Sequence, residues 1–318
     1  YPGTYLAGGY NRNTTIIEGN PIEHEDLVNL PNWLPLTFRI GDGDWFDLRA
    51  VEILEFRQIL DLRCGLYTRS ILIRDRRERD TRLTERRLVH MGDKHLAAQH
   101  VTISPLNWSG RMTVRGLLDA EVSNRGVARY RQFNGKHLRV LRAATQDRNR
   151  MALQVETNQS QLRITQAARL SVQVNGSEPP ANADAVTEPA RVGYDFHVDV
   201  ALGAAVTIEK IVALYSSLDS AIADPETAAL QVIDRAGTFD ELLQSHTLAW
   251  EHLWRRCDLS MVEVASDEGH DTHLAVRLHI FHLLQTASHH TIERDVGIPA
   301  RGWHGEAYRG HIFWDELF

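Results

Sequence analysis

Apolar and polar residues alternate with a period of two in several segments between about residues 36 and 216. Such alternation is typical of strands that bury one side-chain face and expose the other. Short turn sequences separate the segments, among them residues 41–44 and the strongly turn-forming step Asn175-Gly176. Because no helical spacing interrupts this series, the sequence predicts a mainly β fold, built as a large antiparallel β-sandwich.

Three segments show the alternation most plainly. Their predicted faces are Ala97, Gln99, Val101 and Ile103; Met112, Val114 and Leu118; and Val206, Ile208, Val212 and Leu214. Lys210 interrupts the third face. We expect each set to lie on one side of its strand, with Lys210 as a polar exception.

The spacing of apolar residues becomes helical near residue 236. Thr238 and Glu241 form a capping-box sequence, which predicts a helix that begins directly after Thr238. A second helix is predicted from about Thr272, with apolar residues on one stripe. The predicted organisation is a β-domain at residues 1–235, a helical linker at 236–270 and the start of an α-helical domain at 271–318.

Two polar segments interrupt the predicted sandwich. Residues 176–191 contain three prolines among small and acidic residues, and we expect an exposed loop there. Residues 74–87 hold seven arginines against four acidic residues. A phosphate or polyanion site is one hypothesis for the second segment, and a solvated hairpin or an edge strand protected by charge is the favoured one.

Composition narrows the class of protein. Hydrophobic residues make up 43% of the chain and charged residues 24%, as in ordinary soluble globular proteins. The net charge of −7 argues against a nucleic-acid partner. Cys64 and Cys257 lie in segments predicted to belong to different domains, which favours a reducing, cytoplasmic location over a disulfide framework. No apolar stretch approaches the roughly 18–20 residues that span a bilayer, so no membrane partner is expected.

Both ends of the sequence are abrupt. The chain begins with Tyr1 rather than Met and shows no signal-peptide pattern. It ends at Phe318 inside an aromatic and apolar run, whereas natural termini are usually polar. We expect the N-terminus to lie upstream or to have been trimmed, and the polypeptide to continue beyond Phe318.

Histidines are frequent in the predicted helical region. They are His246, His252, His273, His279, His282, His289 and His290. Metal binding on a helix needs two or three histidines at i, i+4 with a carboxylate nearby, and no H-E-x-x-H arrangement occurs. We expect packed or surface histidines, with His246 on the apolar stripe, and neither a metal nor a cofactor.

Residues 301–316 combine glycine, aromatic and charged residues at high density. The aromatic residues are Trp303, Tyr308, Phe313 and Trp314, and the polar ones are Glu306, Arg309, His311, Asp315 and Glu316. Aromatic faces suit the C–H faces of a sugar, and a carboxylate accepts hydrogen bonds from neighbouring hydroxyls. The segment is a candidate sugar site, with an ordinary packed loop as the alternative.

Residues 305–315 (GEAYRGHIFWD) resemble the signature G-E-x-Y-x-G-H-x-F-W-D at the front of the glycoside hydrolase family 65 catalytic domain. Residues 27–33, 104–110 and 249–254 resemble segments that precede this signature in the family, in the same order. The resemblance covers nearly the whole chain. It implies a β-super-sandwich, a helical linker and the first elements of an (α/α)6 barrel.

The family includes phosphorylases of maltose, kojibiose, nigerose and trehalose, with some hydrolases. The resemblance therefore implies inverting cleavage of an α-glucoside in a glucose-containing disaccharide, with inorganic phosphate as co-substrate if the enzyme is a phosphorylase. It implies that Trp314 and Asp315 line the subsite for the glucosyl unit, and that His311, Arg309 and Tyr308 are neighbours. The general acid and the phosphate-binding residues would lie beyond position 318, so no catalytic residue is assigned within the chain.

Two hypotheses of other classes stay open beside the enzyme. One is a carbohydrate-binding module that uses the sandwich itself, and the other is a structural domain that contributes to a homodimer, as the resemblance implies for such N-terminal domains. No predicted strand shows an aromatic ladder, so the terminal signature favours the enzyme. This portion alone is then expected to be inactive.

Overall fold

The computed structural model describes residues 3–125, 131–147, 149–177, 183–259 and 268–298. Its strands are β1 (Tyr10–Ile17), β2 (Asn20–Leu27), β3 (Leu36–Ile40), β4 (Glu52–Asp61), β5 (Leu66–Arg74), β6 (Asp80–Val89), β7 (Leu96–Pro105), β8 (Gly110–Asp119), β9 (Leu138–Gln146), β10 (Arg150–Thr157), β11 (Arg163–Val174), β12 (Ala183–Glu188), β13 (Arg191–Val200) and β14 (Val206–Ser216). Three helices follow: α1 (Pro225–Arg235), α2 (Phe239–Cys257) and α3 (Glu268–Thr286).

The strands form two stacked antiparallel sheets and one separate hairpin. The larger sheet has the order β4-β5-β6-β7-β14-β11-β10-β9, the smaller sheet has the order β12-β13-β8-β3, and β1 pairs with β2. The main hydrophobic core draws buried side chains from both sheets, among them Met112, Ile103 and Ile208. The prediction of a large antiparallel β-sandwich followed by helices is confirmed.

The alternating faces predicted for β7, β8 and β14 are also confirmed, because the apolar residues named for them belong to the main core or pack against it. Lys210, the polar exception on β14, is completely buried. Its ammonium donates to the carbonyl oxygens of Trp33 (2.6 Å), Pro35 (3.3 Å) and Leu117 (2.5 Å). Burial lowers the pKa of Lys210 to about 7, while the three carbonyls stabilise its charged form. Lys210 therefore ties β14 to the smaller sheet and to the segment before β3.

Helices α1 and α2 lie on the other face of the larger sheet. A second cluster of buried residues joins them to it, including Ile211 of β14, Ile233 of α1 and Phe239 of α2. The capping box predicted for α2 is present, since Thr238 and Glu241 exchange side-chain-to-backbone hydrogen bonds. Helix α3 begins four residues before the predicted Thr272. No helix in the described ranges is long and apolar enough to cross a membrane.

Helix α1 lies inside residues 1–235, the predicted β-domain, where no helix was predicted. Its start carries ordinary helix signals, because Asp224 is the N-cap and Pro225 occupies the first turn. The helix has eleven residues and follows β14 closely, so its apolar positions were too few to stand out from the strands before it.

The loop predicted for residues 176–191 is wrong in part. Residues 178–182 lie outside the described ranges, but β12 covers 183–188 and pairs antiparallel with β13. As the edge strand of the smaller sheet, β12 keeps most of its side chains exposed, so it lacks the alternation that marks buried strands. Pro189 follows the last paired residue and removes no ladder hydrogen bond.

The arginine-rich residues 74–87 form the hairpin of β5 and β6, as the favoured hypothesis predicted. Around the turn, Arg74 pairs with Asp80 at 2.7 Å and Arg79 pairs with Asp75 at 2.6 Å. These arginines are thus neutralised by acidic residues of the same hairpin.

Candidate functional site

The residues predicted to bind the sugar lie outside the described ranges. They are Trp314, Asp315, His311, Arg309 and Tyr308. The described residues nearest to them in sequence form the segment after α3, residues 287–298, which we call the docking segment. Its contacts with the β-domain are therefore the described contacts that lie closest in sequence to the predicted site.

A buried ion pair anchors the docking segment to the β-domain. The Arg294 guanidinium donates to the carboxylate of Asp219, and less than a tenth of either side chain is exposed. Asp219 also accepts hydrogen bonds from the backbone N–H and the hydroxyl of Ser216, at 2.8 and 3.2 Å. Lys94 Nζ and His95 Nε2 each lie 3.7 Å from the same carboxylate. Asp219 is therefore the centre of a buried polar cluster that requires its arginine partner.

Two further contacts fix the same segment. His290 Nε2 donates to the carbonyl oxygen of Met91 at 2.9 Å. Val296 packs closely against Gly8, where an added Cβ would lie 3.5 Å from Val296 Cγ1. The docking segment is thus held at three points by residues from three separate parts of the β-domain.

Helix α2, which precedes the docking segment, packs both on α3 and on the β-domain. Trp250 of α2 is buried and stacks on Phe281 of α3, with ring centroids 4.6 Å apart. Gly65 has a φ of +61° and lies under the indole, where an added Cβ would stand 2.4 Å from Trp250 Nε1. Trp254 Nε1 donates to the carbonyl oxygen of Leu62 at 2.8 Å. Helix α2 therefore packs against the turn between β4 and β5.

His246 of α2 is a packed histidine, as predicted. Its Nδ1 accepts a hydrogen bond from the backbone N–H of Met91 at 2.9 Å, and the side chain is buried. Burial, together with the nearby His90 ring, lowers the pKa of His246 to about 4. Burial lowers the pKa of His90 as well. Both rings are therefore neutral at physiological pH and act as hydrogen-bonding core residues.

A group of possible metal ligands, His24, Asp26 and His137, lies at the base of the β1–β2 hairpin. The ligand atoms lie within 4.8 Å of one another. His137 Nε2 is 3.0 Å and His24 Nε2 is 3.3 Å from Asp26 Oδ2. Imidazole and carboxylate groups at this spacing are a ligand set that zinc accepts, so the protonation of the rings decides what the group can do.

The hydrogen bonds around His137 determine which of its ring nitrogens carries the proton. Asn11 Oδ1 accepts the backbone N–H groups of Gln159 and Ser160 at 3.0 and 2.9 Å, so Asn11 must present its amide N–H to His137 Nδ1, 3.0 Å away. His137 Nδ1 is then an acceptor, and the proton on Nε2 is donated to Asp26. Because this Nε2 has no free lone pair, the arrangement is a hydrogen-bond network that fastens the hairpin rather than a metal centre.

A cavity of about 40 Å³ lies between the sheets at Arg69, Glu85 and Gln99, beside Phe38 and Phe46. Glu85 pairs with Arg69 at 2.7 Å and accepts from Gln99 Nε2 at 2.9 Å. Pockets for sugars or larger ligands run to roughly 300 Å³ and more, so this space suits ordered water. This cavity is therefore not a candidate sugar site.

Comparison with known proteins identifies the family. The sequence model of the glycosyl hydrolase family 65 N-terminal domain matches residues 1–253, and that of the family's central catalytic domain matches residues 277–318. The chain therefore belongs to glycosyl hydrolase family 65.

Relatives of the chain span its full length. An uncharacterized glycosyl hydrolase of Mycobacterium tuberculosis is 42% identical over 319 residues, which cover 100% of this chain and 24% of the relative. A kojibiose phosphorylase of Caldanaerobacter subterraneus is 28% identical, and the match covers 100% of this chain and 40% of the relative. A trehalose 6-phosphate phosphorylase of Lactococcus lactis is 26% identical, and the match covers 100% of this chain and 39% of the relative. The chain thus spans less than half the length of each relative.

A solved structure shows the same fold. It is that of a provisionally assigned kojibiose phosphorylase from the human microbiome, with a TM-score of 0.77 at 18% identity. The match covers 99% of this chain and 39% of the other.

The terminal motif is visible in the sequence, whereas the residues that hold the docking segment to the β-domain are not. Arg294 and Asp219 are 75 residues apart, and His24 and His137 lie in different elements, so no local pattern links them. The sequence offered no signal by which these partners could have been matched.

Proposed function

We propose that the protein to which this chain contributes cleaves the α-glucosidic bond of a glucose-containing disaccharide with inversion, using inorganic phosphate as the nucleophile. The observation that carries the proposal is the match of the family's central catalytic domain to residues 277–318, which include the motif at 305–315. The phosphorolytic form is favoured over hydrolysis because relatives that match almost the whole chain are kojibiose and trehalose 6-phosphate phosphorylases.

In this proposal residues 1–235 are the β-domain, residues 236–270 are the linker and residues 271–318 open the catalytic domain. Trp314 supplies an apolar face for the glucosyl unit, and Asp315 accepts hydrogen bonds from its hydroxyls. His311, Arg309 and Tyr308 stand nearby in the sequence and complete the subsite. The buried Arg294–Asp219 pair supports this division of roles, because it holds the chain a few residues before the motif.

The reaction needs one acid and one nucleophile. A protonated carboxylic acid donates its proton to the glycosidic oxygen as the bond from C1 to that oxygen breaks. A phosphate oxygen forms the new bond to C1 from the opposite face, so an α-glucoside gives β-glucose 1-phosphate and the free second sugar. Phosphate is already charged, so no general base is required. In a hydrolase, a second carboxylate roughly 6.5–9.5 Å from the acid would activate water instead.

The test uses the full-length protein with kojibiose, trehalose, trehalose 6-phosphate and maltose, each with and without inorganic phosphate. We expect glucose 1-phosphate to appear with at least one disaccharide, and the rate to rise with phosphate concentration until it saturates. Release of free glucose at a rate independent of phosphate would replace phosphorolysis by hydrolysis. Absence of cleavage of every α-linked glucoside would remove the proposal.

A further inference from the structure

The turn between β6 and β7, residues 90–95, lies between α2 and the docking segment, and we call it the Met91 turn. The N–H of Met91 donates to Nδ1 of His246 in α2 at 2.9 Å. The carbonyl oxygen of the same residue accepts a hydrogen bond from Nε2 of His290 in the docking segment, also at 2.9 Å. The backbone of Met91 thus connects α2 to the segment that precedes the predicted sugar motif.

A second buried ring, that of His90, holds the Met91 turn from within. Its Nδ1 accepts the N–H groups of Gly92 and Asp93, at 3.1 and 2.9 Å. Its Nε2 therefore carries the proton of the neutral ring and donates it to the hydroxyl of Ser245, 2.9 Å away. His246 also uses Nδ1 as an acceptor. Both rings must therefore be neutral for the turn to keep its hydrogen bonds.

A proton on either Nδ1 replaces an attraction by a repulsion, because the ring N–H then points at a backbone N–H. The ring centroids of His90 and His246 lie 5.6 Å apart, so protonation of both also brings two like charges together in a buried place. His290 differs from them, since its Nε2 is a donor in both protonation states. Acid therefore acts on the turn rather than on the hydrogen bond of His290.

The groups that face His90 come from the turn, α2 and the docking segment. Burial is the main reason that the pKa of His90 is lowered, and the positive charge of His290 adds to it. Asp93 and the carbonyl oxygen of Leu242 oppose this shift without cancelling it. His289, whose ring centroid lies 3.8 Å from that of His290, also has its pKa lowered, by burial and by its neighbour.

His246 is enclosed by α2 and the turn between β4 and β5. Burial, with His90 as a smaller cause, lowers its pKa to about 4, against the opposing effect of the backbone at residues 64 and 65. In an opened form the rings would have a pKa of about 6.5 and would bind protons that the closed form does not. The closed form is therefore fully stable above pH 6.5 and is weakened as the pH falls toward 4.

We propose that His90 and His246 form an acid-sensitive latch on the Met91 turn, which holds the docking segment in place while both rings are neutral and releases it when they are protonated. Once the turn moves, the carbonyl oxygen of Met91 leaves His290, and the docking segment loses one of its three attachments. The chain that leads into residues 305–315 is then displaced. The effect on activity rests on the proposed function, whereas the release of the docking segment does not.

The first experiment follows hydrogen exchange of the full-length protein between pH 7 and pH 4, with each rate divided by that of an unstructured peptide at the same pH. We expect residues 287–298 to lose protection as the pH falls, while the amides of β11 stay protected, which separates local release from global unfolding. Unchanged protection of residues 287–298 over this range would overturn the proposal.

Matched variants assign the release to the two rings. In the double variant His90→Asn with His246→Asn, each Oδ1 accepts the same N–H groups and takes up no proton, so protection should persist to a pH about one unit lower than in the wild type. His279→Asn, at an exposed position of α3, is the control and should follow the wild type. Release of the double variant at the same pH as the wild type would overturn the proposal.

A second pair of variants leaves both buried rings in place. His290→Gln keeps an N–H donor for the carbonyl oxygen of Met91 and should release the segment at the same pH as the wild type. His290→Leu lacks the donor, so its docking segment should be less protected already at pH 7 and should change little with acid. A pH dependence in His290→Leu equal to that of the wild type would show that the Met91 turn does not hold the segment.

Activity is measured on the same variants with a disaccharide that the full-length protein cleaves. The kcat/KM of the double variant should fall at a lower pH than that of the wild type. Equal falls in both proteins would overturn the control of activity by the latch. Absence of cleavage of every α-linked glucoside would instead remove the proposed function, and hydrogen exchange alone would then decide whether the latch exists.

Discussion

At the scale of single residues, two buried polar side chains are held by backbone groups from distant parts of the chain. The Lys210 ammonium meets three carbonyl oxygens, and His246 accepts one backbone N–H in a dry environment. The sequence marked both residues as polar positions on apolar faces. It did not show their partners, because these lie on segments distant in the chain, and hydrogen bonding between such segments exists only once the sheets have stacked.

We expect His246 to make the folded protein sensitive to acid. Its pKa is about 4 in the folded protein, against about 6.5 for a histidine in an unfolded chain. The neutral His246 side chain makes its full contribution to the free energy of unfolding above pH 6.5. This contribution is lost as the pH falls toward 4, because the unfolded chain then binds a proton that the folded protein does not. The loss is about 3 kcal/mol.

The test is urea unfolding between pH 7 and pH 4. His246→Asn keeps an acceptor for the Met91 N–H and should show a flatter pH dependence than the wild type. His252→Asn, at an exposed position of the same helix, should follow the wild type. If the free energy of unfolding changed with pH equally in the wild type and in His246→Asn, protonation of His246 would not be the cause of the acid sensitivity.

Asp315 is the residue on which the proposed sugar subsite depends most. In the full-length protein, Asp315→Asn should lower kcat/KM by roughly three orders of magnitude, because the variant loses a charged acceptor of sugar hydroxyls. Glu293→Gln, an exposed acidic residue in the docking segment, should leave the kinetics close to those of the wild type. Steady-state kinetics with equal activity for Asp315→Asn and the wild type would exclude Asp315 from the site.

At the scale of elements, the sequence revealed those strands and helices whose buried face has a regular period. Strands β7, β8 and β14 and helix α2 belong to this group. Strand β12 was missed because an exposed edge strand needs no alternation, and α1 was missed because it is short. The order of strands in the sheets depends on long-range pairing, such as β7 with β14, which no local pattern specifies.

The docking segment should depend on the Arg294–Asp219 pair. Arg294→Met removes the cation that hydrogen-bonds Asp219 and leaves this buried carboxylate only the more distant Lys94 and His95, which should cost up to about 3 kcal/mol. Arg277→Met breaks the exposed pair with Asp258 and is the control, with a cost of about 0–1 kcal/mol. Hydrogen exchange of the backbone amides in residues 287–298 should accelerate in the first variant and not in the second. Equal exchange in both variants would show that the ion pair does not hold the segment.

At the scale of the whole molecule, the clearest functional information lies in the motif at residues 305–315. The motif at 305–315 indicated the family, and the match of the family's two domain models confirms it. The described structure adds what the motif could not show, because the larger sheet, helices α1 and α2 and the docking segment form a connected series of contacts that reaches Val296.

Inversion at the anomeric carbon is the most direct test of the proposed chemistry. The full-length protein would be incubated with an α-linked glucose disaccharide that it cleaves and inorganic phosphate, and the product followed by proton NMR from the first minutes. We predict that the anomeric signal of the glucose 1-phosphate is that of the β form, because phosphate attacks from the face opposite the leaving group. A glucose 1-phosphate that appears first in the α form would contradict the proposed mechanism.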